Sequence, residues 1–180
     1  VAGVAVDEII DGSPALAEIK ARFIGDPELA NLPRKFKTAV TGHPSHDVAP
    51  EVNDVAFVGT VHPELGPGFD LWVGGGLSTH PMLAQKLGVW IPLDEVGDVW
   101  HGVIRIFRDF GYRRLRHKAR LKFLVADWGV DTFREVLEDD YLEIITGLAM
   151  EPRMIWPGGF RRVNRWAFVI HPLSQEYFKN

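Results

Sequence analysis

Apolar residues recur at three- and four-residue spacing through DEVGDVWHGVIRIFRDF, residues 94–110, where Val96, Val99, Trp100, Val103, Ile104, Ile106, Phe107 and Phe110 fall. That period places them on one stripe and predicts an amphipathic helix. Asp94, Glu95 and Asp98 crowd its start, and Arg105 and Arg108 its end, the charge order that a helix dipole favours. A second helical pattern covers 13–24, SPALAEIKARFI, with Ser13 as the candidate N-cap and Pro14 in the first turn. Shorter helices are predicted over 118–127 and 131–138. Between these, KFKTAVT, DVAFVGTV and FDLWVGGG are rich in β-branched and aromatic residues and read as strands. HPELGPG joins the last two as a hairpin, and GHPSHDVAPEVN is Pro-rich and polar, a loop. Near the C-terminus only a WPGG turn and a strand at WAFVIH are legible. No internal repeat is visible. The class is α+β, an antiparallel or mixed sheet with helices packed on one side.

Composition narrows the chemistry. The chain has 180 residues, 46% hydrophobic and 24% charged, with 11 Phe and 6 Trp, enough for one well-buried domain. A net charge of −4 calls for neither nucleic acid nor an anionic membrane. No cysteine occurs, which excludes disulfides, thiolate metal ligands and a cysteine nucleophile in these residues. No apolar run approaches the roughly 20 residues of a membrane span. The acidic opening VAGVAVDEII is no signal peptide. The expectation is a cytoplasmic protein, and a start at Val1 suggests a fragment or a processed product.

Against this acidic balance two basic clusters stand out. In NLPRKFKTAV, Arg34, Lys35 and Lys37 fall within four positions. If this is strand, Lys35 and Lys37 share one face, with Arg34 and Phe36 on the other. A solvated edge strand would explain such a face, because edge charges discourage aggregation. An anion site would explain it too, with lysine as a compact donor and arginine as a fork. The second cluster, RIFRDFGYRRLRHKARLK, sets eight Arg and Lys against Asp109. It suits a solvated helix end, nucleic-acid phosphates, or a polycarboxylate ligand that would engage both clusters. Gly74, Gly75 and Gly76 allow a tight turn or a flat ligand against the backbone. They match neither a dinucleotide fingerprint nor a P-loop. His43 and His46 flank Pro44, which breaks the alignment a metal pair needs, and no metal ligands are assigned. No G-x-S-x-G marks a nucleophile.

Taken in order, LPRKFKTAVTG, the Asn53–Asp54 pair opening NDVAFVG, FDLWVGGGLSTHPMLAQKLG, and FRDFGYRRLRHKARLKFLVADWGVDTFREVLE resemble the siroheme-containing nitrite and sulfite reductases, in their ferredoxin-dependent branch. The resemblance covers residues 1–142 and implies a siroheme-side domain; residues 143–180 do not follow it and form a divergent C-terminal segment. It implies six-electron reduction of nitrite to ammonia or of sulfite to sulfide. Siroheme would bind the anion, and a 4Fe-4S cluster would feed electrons from ferredoxin. It further implies that Lys35 and Lys37 bind substrate and donate protons, and that Arg34 pairs with siroheme carboxylates. Asn53 and the backbone of Gly74, Gly75, Gly76 and Leu77 would lie near the macrocycle. Arg116, His117, Arg120 and Lys122 would help hold its eight carboxylates. The family's cluster cysteines have no counterpart here, so a cysteine-bearing remainder would have to supply them and the isolated chain would be inactive. The alternatives are a non-catalytic tetrapyrrole- or anion-binding module and, third, a nucleic-acid-binding domain using residues 105–122.

Overall fold

The computed structural model describes residue 3, residues 5–78 and residues 80–142. The predicted strand at WAFVIH and the WPGG turn lie outside the described residues.

Four strands stand in chain order in one sheet: β1 (Thr38–Thr41), β2 (Val55–His62), β3 (Gly66–Val73) and β4 (Gln85–Ile91). β1 runs parallel to β2, and the other neighbours are antiparallel, so the sheet is mixed. The helices are α1 (Ser13–Phe23), α2 (Val96–Phe110), α3 (Leu121–Trp128) and α4 (Val130–Val136), with π-helical turns over Leu137–Leu142. Alternation along the strands explains the layering. Val55 and Phe57 of β2 and Phe69, Leu71 and Val73 of β3 join the helix-side core, while Ala56, Val58 and Trp72 form a smaller cluster on the opposite face. From the helices, Ile19 and Phe23 of α1, Val99, Val103 and Phe107 of α2, and Leu124 of α3 complete the main core. Phe57, Phe69, Phe107 and Phe133 are fully buried, each stabilising the fold by roughly 1.5–3 kcal/mol.

Most predicted elements appear, with instructive displacements. The helix predicted over 94–110 begins as a 3-10 turn at Leu93–Glu95 and continues as α2. Ser13 is not the N-cap of α1. Gly12 holds that position, and Asp11 Oδ1, two residues upstream of Ser13, accepts the Ser13 N–H at 2.8 Å. α3 starts later than predicted, because Arg116–Lys118 forms a 3-10 turn and Arg120 is extended, at φ −137° and ψ 147°. β4 was not predicted at all. Its run QKLGVWI opens on two polar residues and carries Gly88 at φ +69°, which weakens the strand signal although Leu87, Val89 and Ile91 alternate into the core.

The largest correction concerns the lysine pair. β1 begins at Thr38, so Lys35, Phe36 and Lys37 precede the ladder. The Lys37 N–H goes to Asp54 Oδ2, at 2.8 Å, rather than to a strand neighbour. Phe36 turns inward, its ring 6.1 Å from Trp100 and 5.8 Å from Phe107 between centroids, while Lys35 and Lys37 on either side stay exposed. Arg34 does not share the side of Phe36: it is exposed and lines the same cleft as Lys35. The alternation K-F-K is thus an aromatic anchor holding two cations outward.

On α2, His101 stacks on Phe23, 4.6 Å between centroids, and its buried Nε2 has no hydrogen-bond partner. Burial, reinforced by Arg105 and Arg22, holds its pKa below the ordinary imidazole value. The folded ring therefore binds a proton less readily than the unfolded one. Stability is full above the unfolded value of about 6.5 and is lost as pH falls from there through the lowered folded value. The difference in thermal midpoint between about pH 7.5 and pH 5.5 is expected to shrink in His101→Leu. An unchanged difference counts against it.

Candidate functional site

Parallel pairing of β1 with β2 sets Thr38 beside Val55 and therefore brings Lys37 against Asp54. At the same end of the strands, β3 stops at Val73, paired with Val55, and runs into Gly74–Gly76. The Gly74 and Gly75 N–H groups donate to the carbonyls of Asp54 and Asn53, both at 2.9 Å. The start of α3 delivers Arg120 and Lys122 to this place. Three segments distant in sequence thus converge at one end of the strands.

Asp54 is the hub. It is wholly buried and accepts from Arg120 Nε at 3.2 Å, from Arg120 Nη2 at 2.9 Å on Oδ1 and 2.8 Å on Oδ2, and from the Lys37 N–H. Burial pushes its carboxyl up, against the pull of the Arg120 charge and the Lys37 N–H. Arg120 itself is 7% exposed, so this is a buried ion pair. In front of it opens a cleft of about 260 Å³ lined by Arg34, Lys35, Ser78, His117, Arg120, Lys122 and Phe123. No acid stands among the lining residues. Arg120 is committed to Asp54 and Lys122 to backbone carbonyls. The side chains of Lys35 and His117 make no hydrogen bond among the described residues, and Arg34 makes one long bond, Nη1 to the Arg116 carbonyl at 3.4 Å. Among the lining residues these three are the ones left to meet a ligand, and the fixed charges of Arg34 and Lys35 favour an anion.

Of the residues singled out in the sequence, Arg34, Lys35, His117, Arg120 and Lys122 come together in the cleft. Lys37 and Arg116 sit beside it, exposed. Asn53 does not line it; its Nδ2 donates to the Ala49 carbonyl at 2.9 Å. Gly74 and Gly75 do not line it either, and close packing on their own chain explains them. Gly74 stands at φ +81°, and a Cβ there would meet Val125 at 2.9 Å; on Gly75 it would meet the Glu51 carbonyl oxygen at 2.3 Å. Gly76 faces the cations, its missing Cβ 3.3 Å from Arg120 Nη2 and 3.5 Å from Lys122 Cδ. Leu77, 57% exposed, stands at the same loop. Sequence reasoning gave no role to Asp54, Ser78 or Phe123. An acid opening an otherwise apolar strand was the signal for the first.

No cysteine is present to ligate an iron–sulfur cluster. The cleft does fit the carboxylate-bearing edge of a tetrapyrrole, since its charge is cationic and apolar Leu77 and Phe123 stand with it. Its volume falls under the roughly 300–1,000 Å³ of ordinary small-molecule sites, so it would take an edge and not a whole macrocycle. Among the described residues, no helix is long and apolar enough to cross a membrane.

Comparison with known proteins gives the chain its family. Residues 1–145 match the family model described as nitrite and sulphite reductase 4Fe-4S domain. A protein named sulfite reductase (ferredoxin) 2, from Mycolicibacterium paratuberculosis, is 63% identical over 153 residues, covering 84% of this chain and 27% of that protein. A ferredoxin–nitrite reductase of Synechococcus elongatus is 35% identical over 181 residues, covering 97% of this chain and 34% of that protein. The solved structure of the NirA protein of Mycobacterium tuberculosis superposes with a TM-score of 0.77 at 62% identity, covering 79% of this chain and 26% of that one. The chain thus spans about a quarter of the length of the first of these relatives. With the family model matched across residues 1–145, the chain belongs to the nitrite and sulphite reductase family.

Proposed function

We propose that this chain forms the cationic wall of a siroheme and oxyanion site in a ferredoxin-dependent sulfite reductase. The observation that carries the reading is the cleft itself. Arg34 and Lys35 from one segment and His117, Arg120 and Lys122 from another line it without an acid among them. Sulfite is favoured over nitrite because relatives named as sulfite reductases are 61–63% identical, against 30–35% for those named as nitrite reductases.

Siroheme, when bound, supplies the iron that takes the anion and the conjugated ring that conducts electrons to it. The chain's own residues bind and protonate. Arg34 presents a planar fork suited to a ring carboxylate. Lys35 and Lys37, held outward by the Phe36 anchor, place two ammonium groups where negative charge grows as oxygen leaves, and they supply protons for the departing water. Asp54 keeps this array at fixed geometry through the Lys37 backbone and Arg120. The cluster belongs to a cysteine-bearing remainder of the reductase, since no residue here can ligate it, and ferredoxin would deliver its electrons there.

The test separates anion from cofactor. In siroheme-loaded protein, Lys37→Ala is expected to keep the cofactor content of the parent and to need about tenfold more sulfite for half of the spectral shift, the loss of one charge-assisted contact. An unchanged half-saturation point removes Lys37 from the anion site.

A further inference from the structure

Lys122 stands in the first turn of α3 and is 2% exposed, an unusual place for a charge. Its Nζ donates to the carbonyls of Gly76 and Leu77, both at 3.2 Å, and to that of His80. An ammonium has three donors and no acceptor, so these three carbonyls use all of them. All belong to one loop, closed at its base by an antiparallel bridge. The Gly76 N–H donates to the Met82 carbonyl at 2.9 Å, and the Met82 N–H to that of Gly76 at 3.0 Å. The Gly76 carbonyl therefore accepts from both the bridge and the lysine. Within the loop Ser78 stands at φ +101°, a conformation that residues with a Cβ rarely adopt and hold only when their surroundings impose it. Ammonium and strain occur together: without Lys122, the carbonyls of Leu77 and His80 would lose the donor they share, and only the Gly76–Met82 bridge would be left to hold Ser78 in its strained conformation.

We propose that Lys122 is a positioning residue, a buried clamp that holds Gly76, Leu77 and His80 against α3 as a fixed wall of the cleft, and not a ligand of the cofactor. The clamp places Ser78 in the cleft and Leu77 beside it. Burial and the nearby Arg120 push the ammonium below the ordinary lysine value, which fits a group aimed at backbone rather than at solvent. That the loop serves a tetrapyrrole edge rests on the function proposed above; the clamp itself does not.

The test is amide hydrogen exchange on the full chain without any ligand. Lys122→Met is expected to speed exchange at Gly76 and Met82 by about tenfold or more while the amides of β2 and β3 keep their protection, as a local opening would. Adding Ser78→Gly, which tolerates the positive φ, should restore part of the protection. If Lys122→Met fails to fold, Lys122→Gln carries the same comparison, because a shorter amide cannot reach three carbonyls. Protection at Gly76 and Met82 equal to that of the parent in the folded variant overturns the clamp. A failure to bind siroheme leaves this exchange result untouched, so the two ideas fail separately.

Discussion

Replacing Asp54 with alanine is expected to cost about 3–5 kcal/mol of folding stability, because it leaves the Arg120 guanidinium buried and unpaired. A small domain has only about 5–15 kcal/mol in total, so the variant should sit near the edge of folding. Asp54 is wholly buried and Arg120 nearly so, and solvent cannot step in for the missing carboxylate. Asp54→Asn should cost less, because the amide oxygen still accepts the Lys37 N–H although it no longer offsets the charge. Replacing both partners, Asp54→Leu with Arg120→Met, should recover much of the loss, since a buried ion pair often contributes little over apolar packing of similar volume. Denaturant midpoints at constant slope measure all four proteins. An Asp54→Ala midpoint within about 1 kcal/mol of the parent would mean that the pair is not buried as described. The double replacement should nonetheless spoil the site, because it frees the backbone of Lys37 from the carboxylate that fixes it.

This same carboxylate marks the limit of what the sequence makes legible. The long helix announced itself through eight apolar positions at helical spacing, and α2 buries Val96, Val99, Trp100, Val103, Ile104, Ile106 and Phe107. The hairpin of β2 and β3 was equally plain, because Gly and Pro lay between two β-rich runs. β4 was hidden because its run opens on two polar residues and is interrupted by Gly88, although Leu87, Val89 and Ile91 do alternate into the core. The basic residues were visible as two clusters, yet their meeting depends on contacts made 66 positions apart, between Asp54 and Arg120, which no local pattern encodes. The error over Arg34 has the same origin. Strand alternation assigned it to the side of Phe36, but the ladder starts only at Thr38, so that rule did not apply. The glycine run allows either a tight turn or a flat ligand against the backbone. At Gly74 and Gly75 the space a Cβ would need is already filled, by Val125 and by the carbonyls of Glu51 and Asn53.

The second large effect concerns the cleft. Arg34 and Lys35 come from the same short segment, line the same cavity and are exposed, so removing both should disturb binding far more than folding. Under the proposed function Arg34 carries a charge-assisted contact to a ring carboxylate, and Lys35 adds a neighbouring positive charge in the same cleft. Even discounted for solvent exposure, their joint loss should weaken siroheme binding by about tenfold to a hundredfold. The measurement is a visible absorption titration of the chain with siroheme, run in parallel on the parent and on Arg34→Ala/Lys35→Ala, with circular dichroism to establish that both are folded. Saturable spectral change in the parent, displaced to much higher siroheme concentration in the variant, is the predicted result. No spectral change in the parent, or the same titration curve in both proteins, would contradict a cofactor edge held in this cleft.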